Sequence, residues 1–254
     1  MPALAKTKRG LSTGTLKIIA CMTMLLDHVG YYLLPANHPV YWLLRILGRL
    51  AFPIFAFCIA LGCRYTRNKL RHFLTILGLG VLCEAVYFLF ERELEGNILI
   101  TFSCSILIIY AIQFTKQAMA QRKVGFIVLG FLAFFASLGV GYATARFIGA
   151  QYGVYGIAVP AFAVLVDYDE GKAPLFLKRL DKNGLRVFLF AVGLFIHWWK
   201  TGALIVQMFA FFALIPLAFY NGQPGNKKLK WAFYIFYPAH LALIWLIGGL
   251  INGF

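Results

Sequence analysis

The chain has 254 residues, 61% of them hydrophobic and 13% charged, with a mean hydropathy of +0.79 and a formal net charge of +15. A water-soluble domain of this size does not hide so much apolar surface, so lipid is the expected solvent for most of it. The basic residues are spread over short loops between apolar runs, which excludes nucleic acid as a partner.

In chain order, a basic tail over 1–14, with Lys6, Lys8 and Arg9, precedes an apolar segment over 15–34. Segments of spanning length follow at 40–63, 70–90, 97–114, 124–146, 152–167, 185–200, 203–220 and 231–252, the 152–167 segment being the shortest. Inside lipid every backbone N–H and C=O must be paired within its own segment, and no strand-like alternation suggests a barrel. The predicted fold is therefore an all-α integral membrane protein, a polytopic bundle of about nine transmembrane helices in one domain over 1–254.

The loops orient this bundle. Lys and Arg crowd the tail, the 64–71 connection (Arg64, Arg67, Lys69, Arg71), the Lys116–Lys123 connection, the 168–186 loop (Lys172, Lys178, Arg179, Lys182, Arg186) and the 227–230 connection. The alternate connections hold only Arg92, Arg146 and Lys200. This alternation predicts a cytoplasmic N-terminus and an extracytoplasmic C-terminus. The cysteines, Cys21, Cys58, Cys63, Cys83 and Cys104, show no C-x-x-C spacing and read as small buried hydrophobes. No metal site is expected.

An ionisable group inside a membrane is a functional hypothesis by default, the alternative being an ion pair that holds helices together. The run "MLLDHVGYY" places Asp27 and His28 about 10 Å from the outer end of the first segment. Arg45 and Arg49, one turn apart on one face of the second segment, lie at a similar depth, as does Glu84 in the third. Asn97 and Thr101 open the fourth segment from the same side. Tyr155, His197 and Gln207 lie near outer ends, and His240, just past Pro238, lies near the middle of the last segment. These residues predict a polar cavity open towards the extracytoplasmic face. Asp27 is expected to pair with Arg45 or Arg49, leaving His28 to take a proton. Arg49 and Asn97 are candidates for steadying a developing oxyanion. Glu84 reads equally as a tether or as a second acid/base group.

Five blocks carry a resemblance: "KIIACMTMLLDHVG", "LRILGRLAFPIFAFCIALGCRYTRNKLRHF", "GNILITFSCSI", "QYGVYGIAVPA" and "KWAFYIFYPAHLALIWLI". In this order, across nearly the whole chain, they resemble the TraX family. The resemblance implies an acetyltransferase of the bacterial cytoplasmic (inner) membrane, related to the transmembrane acyltransferases, taking acetyl-CoA from the cytoplasm to an extracytoplasmic acceptor. That acceptor is the N-terminal amine of pilin, or an envelope sugar or lipid, and His28 matches the expected catalytic base. Arg64, Arg67, Lys69, Arg71, Lys178 and Arg179 are the basic residues suited to the CoA phosphates. Thr101, Tyr155, His197, Gln207 and His240 are the expected pocket lining. Two other classes remain: a proton-coupled small-solute transporter using the same polar residues as a relay, and a structural membrane component of a conjugation or envelope assembly.

Overall fold

The computed structural model describes residues 9–167, 180–225 and 230–252. Among these residues the chain is helical and holds no strand, only one parallel bridge between Leu11 and Tyr220. The helices are α1 (Thr13–Leu33), α2 (Pro39–Gly48), α3 (Ala51–Tyr65), α4 (Lys69–Glu91), α5 (Ile98–Ala120), α6 (Val124–Phe147), α7 (Gly153–Phe162), α8 (Asn183–Lys200), α9 (Ile205–Met208), α10 (Leu214–Ala218) and α11 (Lys230–Asn252). Lys6, Lys8, Lys172, Lys178, Arg179, Lys227 and Lys228 lie outside the described residues.

Among the described residues, six stretches are long and apolar enough to cross a membrane: Thr13–Leu33, Pro39–Tyr65, Lys69–Leu89, Ile98–Ala120, Val124–Phe147 and Trp231–Leu250. They match six of the nine predicted segments. The other three are helical but shorter or interrupted. α7 has 10 residues, contains Pro160, which cannot bond the Gly156 carbonyl, and gives way after Phe162 to tight turns. α8 has 18 residues and carries Arg186 and Lys200. The 205–218 stretch is divided into α9, a 3-10 turn over Phe209–Ala213 and α10, where Pro216 cannot bond the Phe212 carbonyl.

A proline also shapes the second span. Pro53 cannot donate to the carbonyl four residues earlier, that of Arg49, and its ring crowds that carbonyl. α2 accordingly ends at Gly48, two tighter bonds follow (Arg49 N–H to Ile46 O, 3.1 Å, and Leu50 N–H to Leu47 O, 3.3 Å), and α3 resumes at Ala51. Arg49 therefore sits at a break in the helix.

The chain packs as two compact units, one of residues 1–55 with 209–254, the other of 56–208. In the first, α1 packs against α2 and α11. The segment before α1 is tied to the 219–223 stretch by backbone bonds from Leu11 N–H to Phe219 O (2.8 Å) and from Asn221 N–H to Leu11 O (2.9 Å).

In the second unit α5 packs against α4, α6 and α7, and α7 against α8. Its core includes Phe57 edge-on to Phe190, with ring centroids 5.4 Å apart. Polar side chains on α5 fasten the neighbouring segments: Thr101 Oγ1 donates to Gln151 O and Ser105 Oγ to Ile157 O. Lys116 Nζ donates to the carbonyls of Val164, Leu165 and Asp167, closing the chain's exit from α7. All five cysteines are free.

Candidate functional site

In the first unit, α1 and α2 form a hairpin that brings an acid to two bases. Arg45 Nη1 lies 2.9 Å from Asp27 Oδ1, and Arg49 Nη2 donates to Oδ1 at 2.8 Å and Oδ2 at 3.0 Å. The break before α3 lets Arg49 reach back, and its Nε–H also donates to the Arg45 carbonyl. Arg45 lies over the Tyr31 ring at 4.9 Å, a cation–π contact. Asp27 thus pairs with both candidates, and the three side chains together carry a net charge of +1.

The hairpin closes because Gly48 faces Asp27. A Cβ at Gly48 would overlap the Asp27 side chain. Gly48→Ala is expected to displace the carboxylate from its arginines and to cost about 1–3 kcal/mol of stability, read as a lower unfolding temperature in detergent.

His28 does not pair with Asp27, which adjacent positions on a helix disfavour. Its partner is His240 on α11, with Nδ1 of His28 2.7 Å from Nε2 of His240. The ring centroids are 4.9 Å apart and the planes differ by 8°. That separation is the bond length plus about one ring radius at each end. The two imidazoles therefore meet edge to edge in nearly one plane, with a true in-plane hydrogen bond. His240 is buried, stacked on Phe236 and flanked by Tyr237, and its Nδ1 lies 2.7 Å from the Phe236 carbonyl oxygen. His28 is partly exposed, and its Nε2 has no hydrogen-bond partner among the described residues.

In the second unit, Glu84 acts as a tether. Its carboxylate accepts from the backbone N–H groups of Glu95 (2.7 Å), Gly96 (2.9 Å) and Asn97 (3.1 Å) and from Asn97 Nδ2 (2.8 Å). Asn97 Nδ2 also donates to Gly80 O, and its Oδ1 caps α5. With both amide hydrogens used inside the protein, Asn97 has none to offer an oxyanion. Gly96 lies against the backbone of Gly149 and Ala150, and Gln151 donates to Glu95. Burial pushes the Glu95 carboxyl above its ordinary pKa against the lowering effect of that bond. Glu84→Gln would turn an amide N–H₂ towards these donors. Thermal unfolding in detergent should show a loss of about 1–3 kcal/mol.

The remaining candidates separate. Thr101 is fully buried and bonded to Gln151, His197 is buried beside the Tyr152 ring at 5.8 Å, Tyr155 is exposed, and Gln207 is partly buried on α9. Arg67, Lys69 and Arg71 are exposed around the start of α4, where Asn68, Leu70, Arg71, Leu74 and Thr75 line an open groove of 340 Å³.

Arg64 belongs elsewhere. It is bonded to Asp167 and Asp181, and Arg186 is bonded to the same two carboxylates. Among the described residues, two guanidiniums and two carboxylates thus form a nearly buried network, with Arg64 at 18% and Arg186 at 6% side-chain exposure. Sequence reasoning placed Arg64 with the exposed basic residues and passed over both aspartates. A signal existed: with nine acidic residues in the chain, an Asp at the edge of an apolar segment calls for a partner.

Known proteins were then compared with this chain. It is 26% identical to the probable fimbrial assembly protein FimC, serogroup H1, of Dichelobacter nodosus over 248 residues, 90% of this chain and 92% of that one. It is 36% identical over 88 residues to an uncharacterized protein of Rickettsia prowazekii (strain Madrid E), a match to 34% of this chain and 32% of the other. No solved structure matches. The family model described as TraX protein matches residues 12–248, and the chain, a polytopic helical membrane protein, belongs to the TraX family.

Proposed function

We propose that the protein is a membrane-embedded acetyltransferase. It moves an acetyl group from acetyl-CoA to an amine or hydroxyl at the extracytoplasmic face, either a pilin N-terminus or an envelope sugar or lipid. The observation that carries this reading is the partly exposed His28 imidazole on the same helical hairpin as the Asp27–Arg45–Arg49 cluster with its excess positive charge. Acyl transfer needs a base for the attacking nucleophile and a fixed positive charge for the oxyanion.

In this mechanism His28 takes the proton from the acceptor's N–H or O–H as that atom bonds to the thioester carbon. The carbonyl opens to an oxyanion, steadied by Arg49 and Arg45, which Asp27 holds in place. Collapse breaks the C–S bond, and His28 returns the proton to the departing thiolate. The products are acetylated acceptor and free CoA thiol. Arg67, Lys69 and Arg71 supply cations for the donor's phosphates beside the groove at the start of α4, whereas Arg64 is occupied by its aspartates.

The loop charges support an inner-membrane orientation with the N-terminus cytoplasmic and the C-terminus outside. This phase counts α7, α8 and the 205–218 stretch as crossings. α8, with 18 residues, is about 27 Å long, close to the thickness of a hydrocarbon core. The likeness to a probable fimbrial assembly protein of Dichelobacter nodosus favours a pilus-type acceptor, and equally a second reading as an assembly component without catalysis. One experiment separates them. Purified protein in detergent is incubated with acetyl-labelled acetyl-CoA and an envelope extract, and the labelled product is identified by mass spectrometry. Acetylated pilin, sugar or lipid with stoichiometric CoA release supports the enzyme; no label transfer with any acceptor leaves the assembly role.

A further inference from the structure

We infer that His240 is the positioning residue for His28, selecting the tautomer in which His28 Nε2 is the base. This rests on the acyl-transfer reading for its purpose, but the geometry is independent of it. A carbonyl oxygen only accepts, so the bond to Phe236 O requires a hydrogen on His240 Nδ1. In the neutral ring Nε2 of His240 then carries a lone pair and must accept from its own neighbour. The hydrogen of the 2.7 Å bond therefore belongs to His28 Nδ1, and His28 Nε2 is left bare. The near-coplanar rings, 8° apart, point the His28 donor along the His240 lone pair.

α11 is built to hold this arrangement. The Phe236 carbonyl lies one turn before His240, and stacking on the Phe236 ring with burial of His240 fixes the imidazole in one rotamer. When His28 Nε2 takes a proton, its Nδ1 hydrogen can pass along the bond to His240 Nε2. Charge then spreads over two rings, one of them buried, while Asp27, Arg45 and Arg49 remain paired. Bonds balance: one N–H forms at His28 Nε2, one breaks at Nδ1, and one forms at His240 Nε2. The hydrogen moves back as the proton leaves for the thiolate.

The test uses full-length protein labelled with ¹⁵N-histidine in detergent micelles at a pH where both rings are neutral, with His28→Ala assigning the His28 signals. Wild type is expected to show a protonated, pyrrole-type Nδ1 and a bare, pyridine-type Nε2 at His28. In His240→Phe the pattern should mix or reverse. In His240→Gln, whose amide oxygen takes the place of the accepting nitrogen, it should stay as in wild type. Acetyl-CoA turnover should fall about 10- to 100-fold in His240→Phe and recover substantially in His240→Gln. Hydrogen on Nε2 of His28 in the wild type, or the wild-type pattern retained in His240→Phe, overturns the inference. If His240→Phe does not fold, the wild-type and His240→Gln spectra still decide it. A wild type without turnover but with the expected spectrum removes the acyl-transfer reading and leaves the tautomer assignment standing.

Discussion

His28→Ala is expected to lower acetyl-CoA turnover with its acceptor by about 10²–10⁴-fold, the contribution of a positioned general base. Stability should fall by about 1–3 kcal/mol, because the buried Nε2 of His240 is left without its donor. His240 then loses its partner, but its Nδ1 bond to Phe236 O and its stacking remain. Release of free thiol, followed with a thiol-reactive dye in detergent, measures the effect. Wild-type turnover in the folded variant would remove His28 as the base. Asp27 acts at a distance from this step. It is acceptor only, already bonded by two guanidiniums, and its removal would free Arg45 and Arg49 rather than remove a base.

Arg186→Met carries the largest expected cost in stability, about 3–5 kcal/mol. Arg186 is nearly fully buried and bonded to both Asp167 and Asp181, so its removal leaves two carboxylates with Arg64 as their shared cation. A buried pair adds little over a well-packed apolar replacement, but half of one is strongly unfavourable. Thermal unfolding in detergent should drop sharply for the single variant. A double replacement, Asp167→Asn and Arg186→Met, should recover part of the loss, because it leaves Arg64 and Asp181 as a neutral pair. An unchanged unfolding temperature in Arg186→Met would mean that water or ions screen the network.

The helices were legible because lipid leaves few choices. A run of about 20 apolar residues, with backbone groups to satisfy, becomes a helix whatever its neighbours do. All nine predicted segments are helical, but which of them are long and unbroken depended on Pro160, Pro216 and the charges in α8. The Asp27–arginine contact was legible for the same reason, since an acid within an apolar segment needs a cation close by in the hairpin. The role of His240 was not. Its distance of 212 residues from His28 leaves no local trace, and helix periodicity says nothing about which far helix returns. Asn97 misled in another way, and Glu84, which read equally as a tether or an acid/base group, is the tether. Their chemistry suits catalysis, yet the polar atoms are used up by the bend between α4 and α5, and only the donor-by-donor geometry reveals that.

The first unit is made from the two ends of the chain, and this sets a timetable during synthesis. Asp27 meets Arg49 22 residues later, so the acid is neutralised within roughly 1–4 s at ordinary ribosome speeds, as the hairpin emerges. His28 waits for His240 roughly 10–40 s more, until every intervening helix has been made. A prematurely terminated chain can thus enter the bilayer with its carboxylate already quenched but with its His28 imidazole lacking the His240 partner.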